Sequence, residues 1–227
     1  MRIKNLFLND FSHYMRKLFS ILNSQLSDYI SVFYINPSVK DSFKKICQLL
    51  DEGGIQAAFA DMAEKIVAWA EAKDSVILMG MASRGIPIAQ NIAEIIKNKY
   101  NLCVTVGCID NSYYRDDFHY RKRIGNPPLK IAEMPANVEG KTVVLIDDVL
   151  YTGRSVLAAL RAILDLGRPA AVKLCVLVDR GCRELPIAYD CTGISIETEP
   201  KQEVRVCLSP YDEETAVWLV EIEEDVT

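Results

Sequence analysis

Two adjacent carboxylates lie between an apolar run and a small polar loop in this 227-residue chain. Asp147 and Asp148 directly follow the apolar residues 143–146, and residues 152–155 (Thr-Gly-Arg-Ser) precede a helical pattern. Such a run predicts a buried parallel strand, and open α/β sheets bind ligands beyond the carboxyl ends of their strands. The loop can direct backbone N–H groups at an anion, and the helix adds the positive end of its dipole. We therefore predict a site for a phosphorylated sugar, with phosphate on the loop and hydroxyls on the carboxylates.

A second loop of this kind follows the short apolar run of residues 75–80. Ser83 and Arg84 come next, and Gly85 precedes another helical pattern. Backbone donors and one guanidinium can bind an oxyanion, because arginine grips phosphate by two parallel hydrogen bonds. These residues predict a second anion-binding loop.

Two further segments have charged residues near a strand end. Residues 113–140 form a long, charged, proline-containing stretch, which is typical of a lid over an active site or of a disordered segment. Arg115 within this stretch could reach a bound anion when the lid closes. Residues 178–186 (VDRGCRELP) follow a later strand, and by themselves they indicate only a charged turn.

These loops need a sheet whose strands alternate with helices. Helical spacing of apolar residues occurs over residues 55–72 and 86–99, and short apolar runs predict strands at 75–80, 102–109, 172–178 and 203–208. Such alternation predicts an α/β fold with a central, mostly parallel sheet flanked by helices.

Composition narrows the functional class. The net charge of −5 argues against a nucleic-acid footprint over the whole surface, and two histidines make a histidine-rich metal site improbable. The seven cysteines form no CxxC pair and no zinc-like spacing, which predicts free thiols in a reducing cytoplasm. We expect no membrane span and no signal peptide, since no apolar run is long enough.

The first 49 residues differ from the rest, and we predict an N-terminal helical extension before a domain at 50–227. Residues 1–50 contain five of the seven phenylalanines and a net charge of +4. Phe7 to Leu22 shows amphipathic helical spacing, and residues 36–38 mark a break before a second helix. The extension could bind a membrane surface, pack on the domain or mediate oligomer contacts. It could also be translated from upstream of the true start.

The segment VVLIDDVLYTGRS resembles the phosphoribosyl pyrophosphate (PRPP) binding motif of type I phosphoribosyltransferases. YRDD, DDVLYTGR, DLGRPA and LVDRGxRELPI together resemble the PyrR family of pyrimidine operon attenuators and uracil phosphoribosyltransferases, from about Leu50 to the C-terminus. This resemblance implies the type I phosphoribosyltransferase fold, with a small hood and a flexible lid loop. It also implies a homo-oligomer of two or more copies.

The resemblance implies the reaction of uracil with PRPP to give UMP and pyrophosphate, with Mg²⁺ as cofactor. The implied catalytic residues are Asp147, Asp148 and Arg115, and the two aspartates would also face the metal. The implied PRPP-binding residues are Ser83, Arg84, Asp147, Asp148, Val149, Leu150, Tyr151, Thr152, Gly153, Arg154 and Ser155. The implied base-binding residues are Val178, Asp179 and Arg180, acting mostly through backbone groups.

Departures from the family pattern bear on its second role, the binding of leader RNA by UMP-sensing members. RNA-binding members have mostly basic residues where this chain has Ala57, Ala60, Asp61, Glu64, Ala82 and Cys182. Acidic side chains repel phosphates, so the sequence argues against RNA binding.

A second departure concerns the base. Ile194 and Glu197 stand where the family has Lys and Pro, which puts the preference for uracil in question. The alternatives are an RNA-binding attenuator with little or no catalysis, a purine-base phosphoribosyltransferase, and a weakened paralogue acting through its extension.

Overall fold

Five parallel strands form the main sheet of the protein, a computed structural model that describes residues 43–71, 75–109 and 137–222. The strand order is β3-β2-β4-β5-β6, with β4 at the centre. The central strands are apolar on both faces because helices cover both sides. The strands are β2 (Val76–Met81), β3 (Thr105–Ile109), β4 (Thr142–Leu150), β5 (Ala171–Asp179) and β6 (Cys191–Ser195).

Three helices in the described ranges pack on this sheet. Helices α1 (Glu52–Ala68) and α2 (Gly85–Tyr100) share a core with Val144 and Ile146 of β4. Helix α3 (Arg154–Leu166) packs with the intervening residues of that strand in a second core. Alternate residues of a strand face opposite sides, so α3 lies across the sheet from α1 and α2.

A smaller antiparallel sheet contains β1 (Phe43–Leu50), β8 (Ala216–Ile222) and β7 (Gln202–Cys207), in that order. Phe43 pairs with Ile222 and Leu50 with Val217. This sheet matches the predicted hood. Together with the parallel sheet it confirms the type I phosphoribosyltransferase fold.

The end of the predicted helical extension has a different structure. Residues 43–50 are a strand, although the spacing of Ile46, Leu49 and Leu50 also fits one face of a helix. Pairing with β8 decides between the two, because partner strands override weak local preferences. Residues 1–42 lie outside the described residues, so their helix and the domain boundary stay predictions.

The described helices match the predicted ones within a few residues, and α1 ends at Ala68 rather than 72. Strand β4 is longer than predicted, since it continues through both carboxylates to Leu150. Residues 113–136 of the predicted lid lie outside the described residues. Within the described ranges, no helix has both the length and the apolar character to span a bilayer.

Candidate active site

Asp147 and Asp148 lie near the carboxyl end of the central strand. Asp147 is 8% exposed and is paired in register with Val176 of β5, while Asp148 is half-buried. One oxygen of each carboxylate accepts the next backbone N–H, from Asp148 at 3.0 Å and from Val149 at 2.9 Å. These bonds fix both carboxylates in place before any ligand binds.

The polar loop after β4 leads directly into α3, as predicted. Thr152 is buried, and its hydroxyl accepts the backbone N–H of Arg154 at 3.3 Å. Gly153 precedes the helix at a φ of 92°, a left-handed conformation that favours glycine. A Cβ there would also lie 3.0 Å from the side chain of Ile187. The 13-residue helix, with Ser155 in its first turn, directs the positive end of its dipole at this loop.

The second anion-binding loop lies against the strand that holds the carboxylates. Ser83 is exposed and Arg84 half-buried between β2 and α2. A Cβ on Gly85 would lie 2.3 Å from the carbonyl oxygen of Ile146 and 3.3 Å from the Cα of Asp147. Glycine is therefore required at position 85 if this loop is to approach the carboxylates so closely. This packing role of Gly85 could not be inferred from the sequence.

Arg84 contacts the hood through an ion pair. Its Nη2 lies 2.6 Å from Oδ1 of Asp212, which belongs to the loop between β7 and β8. Burial raises the pKa of the nearby Cys207 thiol, and the charges of Asp212 and Glu214 raise it further. The guanidinium of Arg84 acts on this thiol in the opposite direction. No pattern in the sequence indicates a role for Asp212.

The predicted base-binding residues have their polar groups engaged within the protein. Val178 is fully buried in the core, and Asp179 accepts the backbone N–H of Gly181 at 3.0 Å. Arg180 is 7% exposed and donates to Thr198 Oγ1 at 3.1 Å and to the carbonyl of Gln202 at 2.7 Å. Residues 178–180 thus form a wall beside the strand ends. Their side chains are held within the protein and do not project freely from this wall.

The backbone of this wall is bonded as well. The Arg180 N–H donates to the Leu150 carbonyl at 3.1 Å, and the Asp179 carbonyl accepts from Ile196 at 2.8 Å. The guanidinium of Arg180 also lies 3.9 Å from the ring centre of Tyr151. A cation over an aromatic face is favourable, so this contact holds Tyr151 in the predicted PRPP loop against the wall.

Arg183 connects the loop after β4 to the loop after β5 more extensively than any other described side chain of the site, and its position in the sequence predicted no catalytic role. It forms an ion pair with Asp179. Its guanidinium also donates to the carbonyl oxygens of Leu150 (3.3 Å), Tyr151 (2.8 Å), Gly181 (3.0 Å) and Ile187 (3.2 Å). The segments DDVLYTGR and DRGCRELP are thus a single bonded unit.

Further bonds join the same two loops. The Thr152 carbonyl accepts the N–H groups of Glu184 and Leu185, both at 3.1 Å. The exposed side chain of Arg154 forms an ion pair with Glu184. The other predicted PRPP-binding residues, Val149 and Leu150, contribute to the two cores. Arg115 lies outside the described residues.

The chain matches known proteins along most of its length. A family model described as a phosphoribosyl transferase domain matches residues 46–210. The Bifunctional protein PyrR of Pelotomaculum thermopropionicum is 42% identical over 177 residues, which is 78% of this chain and 97% of that protein. The Bifunctional protein PyrR of Bacillus subtilis is 40% identical over 175 residues, 77% of this chain and 97% of that protein.

Solved structures resemble the same part of the chain. A hypoxanthine-guanine phosphoribosyltransferase from Bacillus anthracis has a TM-score of 0.58 at 19% identity, covering 79% of this chain and 99% of that one. An HGPRT-ase from Leishmania tarentolae in complex with GMP has a TM-score of 0.59 at 18% identity, covering 80% and 98%. At such identities the likeness shows the fold alone.

Proposed function

Because the chain belongs to the PyrR family of phosphoribosyltransferases, we propose that it transfers the phosphoribosyl group of PRPP to uracil. The products are UMP and pyrophosphate. Membership of this family makes the chain a phosphoribosyltransferase. The identity of the base, the residues of the site and the metal ion are our proposals.

The close approach of Gly85 to Ile146 is the observation that supports this reaction most directly. It brings one anion-binding loop against a strand that continues into a second one, with Asp147 and Asp148 between them. PRPP needs such an arrangement, because it has a 5′-phosphate at one end, a pyrophosphate at the other, and two ribose hydroxyls between. A ligand with a single phosphate would use only one loop.

In the proposed reaction, the bond between the ribose C1 and the pyrophosphate oxygen breaks, and a bond from C1 to a uracil nitrogen forms. The proton lost from that nitrogen passes to the departing pyrophosphate or to solvent. Asp147 and Asp148 accept hydrogen bonds from the ribose hydroxyls and stabilise the positive charge that develops on the sugar. Arg84 and the N-terminus of α2 bind the departing pyrophosphate. The loop before α3 holds the 5′-phosphate. Positioning and electrostatics accelerate the reaction, and no side-chain nucleophile is needed.

The two carboxylates also fit the proposed Mg²⁺. This ion is usually bound through one or two carboxylates plus substrate phosphates and water, and Asp147 and Asp148 supply oxygen donors at the strand end. When bound with PRPP, it would neutralise charge on the pyrophosphate. The fixed hydrogen bonds of both carboxylates to the backbone orient these donors.

We propose uracil because the DRGCRELP segment resembles that of the PyrR family. The same segment is also bonded to the loop after β4. The wall formed by residues 178–180 is bonded to the PRPP loop through Arg183. A base lying beside this wall would be held at a fixed distance from the sugar. A purine base would be held beside this wall in the same way, so transfer to a purine base is the first alternative function.

Leader-RNA binding is the second alternative function, and the surface of α1 disfavours it. Ala57, Asp61 and Glu64 are all exposed on this helix, where RNA-binding members have basic residues. Glu64 lies 3.7 Å from Lys99, which further reduces the positive charge on this face. We therefore propose that this chain acts without the RNA-binding surface of its family.

The proposed enzyme is a cytoplasmic homo-oligomer of two or more copies. All seven cysteines are free thiols, as expected in a reducing compartment. Leu157 and Leu164 are exposed on α3, where a second copy would shield them from water. Light scattering on the purified protein would measure the oligomeric state.

The proposed function is tested by nucleotide formation from PRPP and Mg²⁺ with four bases. We expect UMP from uracil and no product from hypoxanthine, guanine or xanthine. Product from a purine alone would replace the base assignment, and no product from any of the four bases would defeat the proposed reaction with uracil. A variant with both Asp147→Asn and Asp148→Asn serves as the inactive control.

A further inference from the structure

The ion pair between Arg84 and Asp212 joins the second anion-binding loop, which we propose binds pyrophosphate, to the hood. The two side chains are 29% and 21% exposed, and the atoms Nη2 and Oδ1 are 2.6 Å apart. The Nε of Arg84 is buried, and among the described residues it has no hydrogen-bond partner. Asp212 is therefore the side chain to which the structure ties this guanidinium.

Asp212 is itself held firmly in the loop between β7 and β8. Its Oδ2 accepts the backbone N–H of Leu208 at 2.8 Å, and its own N–H donates to the Leu208 carbonyl at 2.9 Å. The Ser209 N–H donates to Thr215 Oγ1 at 3.1 Å, which closes the same loop. A carboxylate fixed in this way can fix the arginine that it contacts.

We propose that Asp212 is a positioning residue for Arg84, an inference that rests on the proposed function. An unrestrained arginine loses considerable rotamer freedom when it binds an anion, and a pre-positioned one loses less. Asp212 holds one amino group of the guanidinium and directs the remainder toward the pyrophosphate of PRPP. The opposite role, competition of Asp212 with pyrophosphate for Arg84, gives the opposite result in the test below.

The test is isothermal titration calorimetry of PRPP and of UMP, each with Mg²⁺ and without base, on the full chain. UMP has no pyrophosphate and so does not need Arg84. We expect Asp212→Asn to weaken PRPP binding by roughly tenfold and to leave UMP binding unchanged, as the loss of one charged hydrogen bond predicts. In an Arg84→Ala background, Asp212→Asn should have no further effect, because the two residues act together.

Asp190→Asn is the matched control. Asp190 also accepts a backbone N–H, from Leu174 at 2.9 Å, and lies 2.7 Å from a lysine, Lys173. It belongs to neither anion-binding loop, so PRPP and UMP affinities should both stay at wild-type values. Thermal melting compares the folding of the two variants.

Three results would overturn the proposal. PRPP binding by Asp212→Asn as tight as or tighter than wild type would show that Asp212 is neutral or competes. Equal loss of PRPP and UMP affinity would show a merely structural role. If Asp212→Asn does not fold, Asp212→Ser, which removes the same charge and keeps a hydroxyl that can accept the Leu208 N–H, gives the same comparison. Failure of the wild type to bind PRPP at all would instead defeat the proposed function, and the positioning role with it.

Discussion

Arg183 donates a hydrogen bond of 2.8 Å to the carbonyl oxygen of Tyr151, which ties the DRGCRELP segment to the loop that we propose binds PRPP. The same guanidinium pairs with Asp179, at side-chain exposures of 21% and 16%. Together with the backbone bonds of Thr152 to Glu184 and Leu185, this side chain joins the DRGCRELP segment to the loop after β4. Two motifs that are separated in sequence are therefore bonded to each other.

We therefore expect Arg183→Ala to lower activity at least 100-fold, because misplacement of a binding loop by about 1 Å costs that much. It should also lower the free energy of unfolding by about 3 kcal/mol, since Asp179 and several carbonyls lose their partner. Arg183→Lys keeps the charge but cannot reach several carbonyls at once, so activity should recover only partly.

UMP formation and chemical denaturation measure the two effects of Arg183. The exposed Arg161 of α3 provides the control, and Arg161→Ala should behave like wild type. Wild-type activity of Arg183→Ala would show that the DDVLYTGR and DRGCRELP segments are positioned independently of this side chain.

Asp147→Asn and Asp148→Asn, made separately, should each lower kcat by about 10²-fold or more, because each removes one charge aimed at the transition state. Both variants should fold, since the asparagine oxygen can still accept the backbone N–H that each carboxylate accepts. Circular dichroism and steady-state kinetics measure the two effects. Asp165→Asn on the exposed side of α3 is the control, and an active Asp147→Asn variant would remove that residue from the site.

Gly85→Ala should separate the two anion-binding loops. The added methyl would lie 2.3 Å from the Ile146 carbonyl, so either α2 or the end of β4 must shift. We expect a lower melting temperature and a KM for PRPP raised at least tenfold, with less effect on the KM for uracil.

Gly53→Ala is the control for this substitution. Position 53 is also at a helix start, and its nearest neighbour, Asp51 Oδ1, would be at an ordinary 3.5 Å. Equal behaviour of the two alanine variants would show that close approach at Gly85 is not required.

The sequence predicted four of the five strands of the main sheet and the polar loops that follow β2 and β4, because these depend on local patterns, whereas it did not predict β6. Continuous apolar runs indicate buried strands, and polar loops at their ends indicate ligands. Asp147 and Asp148 were recognised for this reason. The family resemblance then supplied the base and the metal, which no spacing in the chain could indicate.

The contacts that hold the site together could not be predicted in this way. The contacts of Asp212 with Arg84, of Gly85 with Ile146, and of Arg183 with Tyr151 join residues that are distant along the chain. The local sequence marks Gly85 and Arg183 only as members of their loops and does not indicate these contacts. Strand β1 was missed for the same reason, since its partner is the last strand of the described chain.

Truncation should distinguish the extension from the hood. Removal of residues 1–42 leaves β1 intact, and we expect a folded enzyme with activity close to that of the full chain. Removal of residues 1–49 deletes nearly all of β1 and exposes β8, so we expect lower solubility and a lower melting temperature. Thermal melting and UMP formation compare the two products. Equal behaviour would show that β1 is dispensable, and an inactive product of the shorter deletion would place the extension in the functional unit.

RNA binding should be weak, because the exposed face of α1 is acidic where basic residues are needed. In filter binding to a pyrimidine operon leader RNA, we expect a Kd weaker than about 1 μM at physiological salt, with no dependence on UMP. The triple variant Ala57→Arg, Asp61→Arg and Glu64→His should bind more tightly, with a steeper salt dependence, because new phosphate contacts release counterions. Asp165→Arg, which adds positive charge on α3 instead, is the control. Tight, UMP-dependent binding by the wild type would mean that this chain retains an RNA-binding surface outside α1.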